Sequence, residues 1–298
     1  MTTTLRSQPV IDQQPLAEVG KHTPLNFAAR LMLYVILILC TILFMAPFVW
    51  LLSNSLKDSA HAFDANWLPT PTQWANYTRI FEEVPLLLMA RNSIFVAVLA
   101  VVTVAASSSM IAYALARLRF PARNLIFALV LVTMMLPGAV TMVPVYLIWK
   151  QLRLVNTLAP LWLGNLFGSS FYIFMLRQFF LGIPQDVIDA ARIDGANFFG
   201  IYWWIMLPLS RPALLALVIF EFQAKWNDFM TPLIYIQNPD LRTLPLGLQL
   251  FVQDVGYGQF HWELLFAASV LVTVPMIILF FLAQKQFIQG IATTGIKG

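Results

Sequence analysis

Three ionisable residues stand close together inside a strongly apolar run. Glu221, Lys225 and Asp228 are spaced i, i+4 and i+7, so a continuous helix would place them on one face. A charge in hydrocarbon costs at least about 2.5 kcal/mol, so such a face is expected to point into a helix bundle or a water-filled cavity. Trp226 and Asn227 add a ring for stacking and an amide for hydroxyl groups. The pattern predicts a route for a polar solute. The alternative is a structural Glu221–Lys225 pair, with Asp228 and Trp226 at the membrane interface.

Two prolines interrupt another apolar run. Pro137 and Pro144 are seven residues apart, and each removes one intrahelical hydrogen bond. We predict a helix that breaks at these two positions, with freed carbonyls lining a cavity. The alternative is gentle curvature around neighbouring helices.

The sequence lacks the residue arrangements that are typical of enzymes. The three histidines are far apart, and no group of His, Cys and carboxylates has metal-ligand spacing. No G-x-x-x-x-G-K-[ST] nucleotide loop is present, so ATP would have to be bound by another chain. The single cysteine, Cys40, cannot form an internal disulfide. We therefore predict a chain without catalytic residues, cofactor or metal, and the net charge of +4 gives no reason to expect nucleic-acid binding.

The composition predicts that these residues are positioned by membrane-spanning helices. The chain is 59% hydrophobic and 11% charged, whereas soluble domains average about 25% charged. Six apolar runs are long enough to cross about 30 Å of hydrocarbon as helices, and they do not alternate as barrel strands do. They are approximately Leu31–Leu52, Ile94–Ala116, Leu125–Ile148, Leu158–Leu176, Ala213–Tyr235 and Leu264–Ala283. The predicted fold is an all-α polytopic membrane protein with six transmembrane helices.

The basic residues predict the orientation of these helices. With both termini in the cytoplasm, inner segments hold eleven of the 18 Lys and Arg and outer segments hold seven. The short Arg117–Arg123 loop carries three arginines and no acid. We expect residues 1–29 to be a cytoplasmic tail and residues 30–298 to be one membrane domain. The long outer segments 53–92 and 236–262 are large enough to contact an external protein, or alternatively they cap the bundle.

One inner segment, Arg177–Arg211, is predicted to be a helix-turn-helix. Pro184 suits a first helical turn, Gly195 suits a left-handed helix stop, and Asn197 suits the cap of a second helix that Pro208 ends. Such an element outside the bilayer is a docking surface; the alternative is an amphipathic connector lying on the membrane.

The spacing in this segment resembles a known family. Asp189-Ala190-Ala191, three residues, Gly195, nine residues and Ile205-x-Leu207-Pro208 resemble the EAA loop of ABC-importer permeases, with Asp189 where the family usually has Glu. Ala224–Phe229, Thr243–Leu248 and the tail 286–298 resemble the carbohydrate branch, and are most similar to the second permease of maltose-type systems. The resemblance covers roughly residues 30–298.

The resemblance implies a function and a set of partners. It implies a permease of a bacterial plasma (inner) membrane that imports a sugar by alternating access, with a homologous second permease, two ABC ATPase subunits that bind ATP and Mg, and an external solute-binding protein. The ATPase-coupling residues that it implies are Asp189, Ala190, Ala191, Asp194, Gly195, Ile205, Leu207, Pro208, Lys297 and Gly298. Import of glycerol-phosphate or another polar solute stays open. So does an ion-coupled secondary transporter, with Glu221 and Asp228 as proton or cation sites.

Overall fold

A computed structural model describes residues 27–64, 66–254 and 261–294, and every regular element in these ranges is helical. The α-helices are α1 (Phe27–Ser55), α2 (Asn76–Glu83), α3 (Leu86–Arg117), α4 (Arg123–Met134), α5 (Gly138–Gln151), α6 (Ser170–Gly182), α7 (Gln185–Ile193), α8 (Phe198–Ile201), α9 (Leu207–Leu209), α10 (Arg211–Trp226), α11 (Met230–Tyr235), α12 (Leu244–Asp254) and α13 (Trp262–Thr294). Short 3-10 segments lie at Ser59–His61, Ala159–Leu161, Leu163–Phe167 and Pro239–Leu241, and a π turn joins α8 to α9 at Tyr202–Met206.

The described helices account for three to six membrane spans. Three continuous helices are long and apolar enough to cross a bilayer: α1, α3 and the Trp262–Gln284 part of α13. Three further candidates are bent pairs: α4 with α5, bent by 104°; Leu163–Gly182 with α7, bent by 76°; and Phe198–Leu209 with α10, bent by 76°. By length and composition, the described helices therefore supply three spans, or up to six if each bent pair is counted as one span.

The predicted third span breaks once rather than twice. α4 ends at Met134 and α5 begins at Gly138, with Pro137 in an extended conformation between them. Pro137 has no backbone N–H, and it pushes the residue before it away from the helical region. Pro144 lies inside α5, which continues through it. The prediction of a second break at Pro144 is wrong, because α5 is one helix from Gly138 to Gln151.

The predicted fourth and fifth spans are also interrupted. The fourth starts with 3-10 segments and becomes α-helical only at Ser170, after Gly168 adopts a φ of +81°. The fifth stops at Trp226 and resumes at Met230. Glu221, Lys225 and Asp228 therefore do not share one helical face, because Asp228 lies beyond the end of α10.

The chain divides into two compact units. The first is residues 1–49; its described part is the apolar helix α1 as far as Val49, and helix α1 already includes residues 27–29 of the predicted tail. Residues 1–26 of that tail lie outside the described residues. The second unit is residues 50–298, in which α3 is the central helix and packs against α6 and α10.

Three buried clusters hold the second unit together. The first joins α3 and α6 to the helices that follow them and includes Val104, Tyr113, Leu176, Phe180, Ile188, Ile201, Met206 and Leu217. The second includes Ile80, Trp226 and Leu264, and the third includes Trp149, Leu161, Tyr235 and Leu246. The first cluster contains most of the buried side chains of α7, α8 and the π turn, so these elements are part of the folded core of this unit.

Candidate functional site

The first helix of the predicted helix-turn-helix is α7, and its end is built around a glycine. Gly195 has a φ of +85°, a conformation that glycine adopts without steric cost. The Gly195 N–H donates to the Arg192 carbonyl over 3.0 Å, and the Ala196 N–H donates to the Ala191 carbonyl over 2.9 Å. These bonds satisfy the last carbonyls of α7 and reverse the chain within two residues. Gly195 therefore determines the direction in which the second helix leaves.

The second helix begins at a capping asparagine. Oδ1 of Asn197 accepts a hydrogen bond from the Gly200 N–H over 2.7 Å, which satisfies a free amide of the first turn. Helical structure then continues through the π turn and α9 to Leu209. This end lies one residue after the predicted one, at Pro208. Pro208 lies inside α9, and the turn before it widens, since proline offers no N–H to the Trp204 carbonyl four residues earlier.

Polar contacts attach this pair of helices to α3. The hydroxyls of Ser109 and Tyr202 are hydrogen-bonded over 2.7 Å in the buried interior, and Tyr113 donates to the Phe198 carbonyl over 3.1 Å. Arg117 donates to Oε1 of Gln185 over 2.9 Å, and also to the Phe180 and Ile183 carbonyls. These hydrogen bonds connect α7, α8 and the π turn to α3.

Several side chains of the helix pair are exposed. Asp189 is about half exposed; its Oδ1 accepts from Gln185 and Arg192, each over 3.0 Å. Phe199, Trp203 and Trp204 are also exposed, Trp204 by 83%. The predicted coupling residues differ in their exposure. Asp189, Ala190, Asp194 and Gly195 are exposed, Ala191 is buried, Ile205, Leu207 and Pro208 are half-buried, and Lys297 and Gly298 lie outside the described residues.

Glu221 is a buried carboxylate in the middle of the bundle. It is only 7% exposed, and its Oε1 accepts a hydrogen bond from Nδ2 of Asn165 over 2.6 Å. The same amide donates to the Ala100 carbonyl over 3.2 Å, and the Tyr172 hydroxyl interacts electrostatically with the carboxylate. Among the described ion pairs, none joins Glu221 to Lys225. Glu221 thus connects α10 to the 3-10 segment before α6 and, through Asn165, to α3.

The polar residues at the end of α10 have different environments. Trp226 is buried, stacks on Phe222 with ring centroids 5.5 Å apart, and donates its indole N–H to the Val272 carbonyl over 3.1 Å. Its ring is therefore not presented to a solute in this conformation. Asn227 is exposed and donates to the Gln223 carbonyl over 2.9 Å.

Asp228 has a local structural role and a free face. Its carboxylate accepts from the Thr231 N–H over 3.0 Å and so caps α11, while the side chain stays half-exposed. Of the five predicted pathway residues, Asn227 is exposed and Lys225 and Asp228 are half-exposed, whereas Glu221 and Trp226 are buried. Asn165 and Tyr172 were not predicted from the sequence. They carry no periodic signal because they lie 56 and 49 residues from Glu221 in the chain.

The described residues contain no group of three or more His, Cys, Asp and Glu side chains that could hold a metal ion. The polar groups of α7 to α9 and of the segment Glu221–Asp228 are hydrogen-bond donors and acceptors. Their arrangement can bind and position a molecule or a partner.

Comparison with known proteins gives consistent matches. Residues 108–293 match the family described as "Binding-protein-dependent transport system inner membrane component". The chain is 34% identical to the arabinooligosaccharides transport system permease protein AraQ of Bacillus subtilis (strain 168), over 93% of this chain and 99% of that protein. It is 31% identical to the diacetylchitobiose uptake system permease protein NgcG of Streptomyces coelicolor, over 91% of this chain and 89% of that protein.

Two further matches extend the range of similar proteins. The sn-glycerol-3-phosphate transport system permease protein UgpE of Yersinia pestis is 32% identical over 87% of this chain and 94% of its own length. A chain in the crystal structure of a bacterial ABC transporter involved in the import of the acidic polysaccharide alginate has the same fold. Its TM-score is 0.76 at 23% identity, over 87% of this chain and 98% of that chain.

Proposed function

Because the chain belongs to the family of binding-protein-dependent transport system inner membrane components, we propose that it is one permease subunit of an ATP-driven importer whose solute is a sugar or oligosaccharide. The relatives named for arabinooligosaccharides and for diacetylchitobiose support a carbohydrate substrate. The relative named for glycerol-3-phosphate supports the alternative of a small phosphorylated polyol.

We propose that α7 to α9 form the surface on which an ATPase subunit docks. The observation that carries this proposal is that the helix pair has exposed side chains and is hydrogen-bonded to α3. Movement of a docked ATPase would displace α7, and the Arg117 and Tyr202 contacts would pass that displacement to α3. α10 follows α9 after a single residue, Ser210. This connection is a second route by which a displacement of α7 to α9 would reach the membrane helices.

The remaining partners follow from the same proposal. ATP and Mg would be bound by two ATPase subunits, a homologous permease would complete the solute pathway, and an external solute-binding protein would contact the outer segments. In this arrangement both termini and α7 to α9 are cytoplasmic and the chain is a multi-pass protein of a bacterial plasma membrane.

The proposed solute contacts are Asn227 and Asp228, which directly follow the buried Trp226. Glu221 is assigned to the structure of the bundle rather than to direct contact, because it is buried and hydrogen-bonded to Asn165.

A transport assay with variants of these two residues tests the substrate proposal. Asn227→Ala and Asp228→Asn should each weaken the apparent affinity for the transported sugar by about tenfold, since each removes about one hydrogen bond or charge-assisted contact. Asp228→Asn keeps an oxygen that can cap α11. Uptake of arabinooligosaccharides, chitobiose and glycerol-3-phosphate would be measured in proteoliposomes containing the complete transporter.

Gln223→Ala is the matched control, because it removes an exposed amide one turn away while leaving the backbone carbonyl that Asn227 uses. If both test variants lose assembly and leave affinity unaltered in the assembled fraction, these residues are structural and the solute contacts belong to the partner permease.

Cysteine labelling tests the proposed orientation. Ala75 precedes α2 and Ile193 ends α7, and both are exposed. In a Cys40→Ala background, Ala75→Cys should react with an impermeant thiol reagent in intact cells, whereas Ile193→Cys should react only after permeabilisation. Labelling in the opposite order would invert the orientation while leaving the fold intact.

A further inference from the structure

A cleft rich in arginine lies between the end of α3, the start of α4 and α7. Its volume is about 800 Å³, and four guanidinium groups line it: those of Arg117, Arg119, Arg123 and Arg192. The single carboxylate in the lining, that of Asp189, is already paired with Arg192. The cleft therefore carries an excess of about three positive charges.

Arg117, Arg123 and the neighbouring Arg177 have no acidic partner among the described ion pairs. Arg123 donates to the Leu118 carbonyl over 3.3 Å, and Arg177, just outside the lining, donates to the Leu115 carbonyl over 3.3 Å. Among the described contacts of Arg117, Arg123 and Arg177, every acceptor is a neutral oxygen. Arg123 and Arg177 lie close enough to repel each other, as do Arg117 and Arg192. In addition, Nε of Arg117 is buried without a hydrogen-bond acceptor.

The start of α4 adds further hydrogen-bond donors beside the cleft. α4 begins at Arg123, has no side-chain cap and has no acidic residue in its first turn. Free amides and the helix dipole favour an anion at such an end. An adjoining hollow of about 430 Å³ is lined by Arg119, Arg123 and the first residues of α4. Arg119 and Arg123 therefore line both the cleft and the hollow at the start of α4.

The other side of this helix end is apolar. Leu125 and Leu129 are 62% and 56% exposed, and Ile126 is also exposed. α4 thus presents aliphatic side chains directly beyond its basic first turn. An anionic head attached to hydrocarbon tails matches this order of donors followed by apolar surface, whereas a free anion would use only the first part.

We propose that this arginine-lined cleft is a binding site for the phosphate headgroup of an anionic phospholipid, whose acyl chains lie along the exposed apolar face of α4. Arg119 and Arg123 would bind the phosphate oxygens together with the first amides of α4. Such a site would make transport depend on anionic lipid. The proposal rests on the part of the proposed function that places the chain in a membrane, and it does not depend on which solute is transported.

The test compares lipid retention by the full-length protein, purified with the subunits that accompany it, in nanodiscs that contain phosphatidylglycerol and phosphatidylcholine. Bound lipids would be counted by native mass spectrometry. Each arginine near a charged surface contributes roughly fivefold, so Arg119→Gln combined with Arg123→Gln should lower the preference for phosphatidylglycerol by about 25-fold. Arg30→Gln, which removes one exposed arginine at the start of α1, should lower the preference much less than the double variant does.

Each other outcome would overturn the assignment. An unchanged preference in the double variant, or an equal loss in Arg30→Gln, would show that the cleft does not select the lipid. If inorganic phosphate displaced phosphatidylglycerol from the protein in detergent as effectively as free phosphatidylglycerol does, the cleft would be assigned to a free anion. Loss of an ATPase subunit without a change in lipid preference would assign it to protein docking. Because Arg119 is exposed, Arg119→Gln alone provides a variant that should fold, with an expected fivefold effect.

Discussion

Gly195→Val is expected to lower ATP-linked transport at least tenfold while the protein still inserts into the membrane. Gly195 has a φ of +85°, and an added Cβ would meet no atom within 4 Å. The cost is therefore conformational, because a β-branched residue at positive φ is a strong outlier that costs at least about 1–2 kcal/mol. The chain can relieve this strain by rotating α8 away from α7. That rotation would disturb both the exposed docking surface and the Ser109–Tyr202 contact.

Two matched variants isolate the backbone effect of Gly195→Val. Gly195→Asn should retain most transport, since asparagine tolerates the left-handed conformation. Gly182→Val makes the same substitution where no atom lies within 4 Å of the new Cβ and φ is not positive, and it should be close to wild type. Solute-stimulated ATPase activity and uptake would be measured in proteoliposomes. Full coupled transport by Gly195→Val would refute the docking role of this turn.

Glu221→Ala is expected to lower the stability of the bundle. The change removes the acceptor of the 2.6 Å hydrogen bond from Asn165 and leaves a small cavity beside α3. The lost charge-assisted hydrogen bond and the cavity should together lower the free energy of unfolding by about 2–4 kcal/mol. Part of this loss is offset, because the variant no longer buries a carboxylate. We expect the midpoint of thermal unfolding in detergent to fall by about 5 °C or more.

Glu221→Gln serves as the isosteric control because it keeps an oxygen that Asn165 can donate to. It should unfold near the wild-type temperature and transport at a similar rate. This control also tests the ion-coupled alternative, in which the carboxylate would exchange a proton or cation. A stable Glu221→Gln protein that no longer transports would favour that alternative and remove Glu221 from the purely structural group.

The family and the helical class were determined by the sequence. The resemblance to ABC-importer permeases is confirmed by the family match over residues 108–293 and by the relatives, because a motif such as Asp189–Pro208 is a local pattern of residue types. The turn chemistry of Gly195 and Asn197 agrees with the structure for a similar reason. A left-handed stop and a helix cap depend on residues two to five positions apart, which the sequence displays directly.

The continuity of the helices was decided by the tertiary structure. Hydropathy measures whether a run suits lipid, but it does not show where the backbone breaks, and the two prolines of the third predicted span illustrate this. Pro137 separates α4 from α5, whereas Pro144 is accommodated within α5. A proline has the same intrinsic cost at both positions, so the difference lies in how the surrounding turns and neighbouring helices compensate for the lost bond.

The roles of the polar residues were likewise decided by tertiary packing. Glu221 was predicted to share a face or a pair with Lys225, yet its hydrogen-bond donor is Asn165, 56 residues away. Trp226 was predicted to face the solute, yet it stacks on Phe222 and donates to Val272 of α13. Spacing along a helix determines which side chains share a face. The partner of a buried polar group is determined by which distant helix packs against that face, because a buried donor or acceptor must be satisfied wherever the fold supplies a partner.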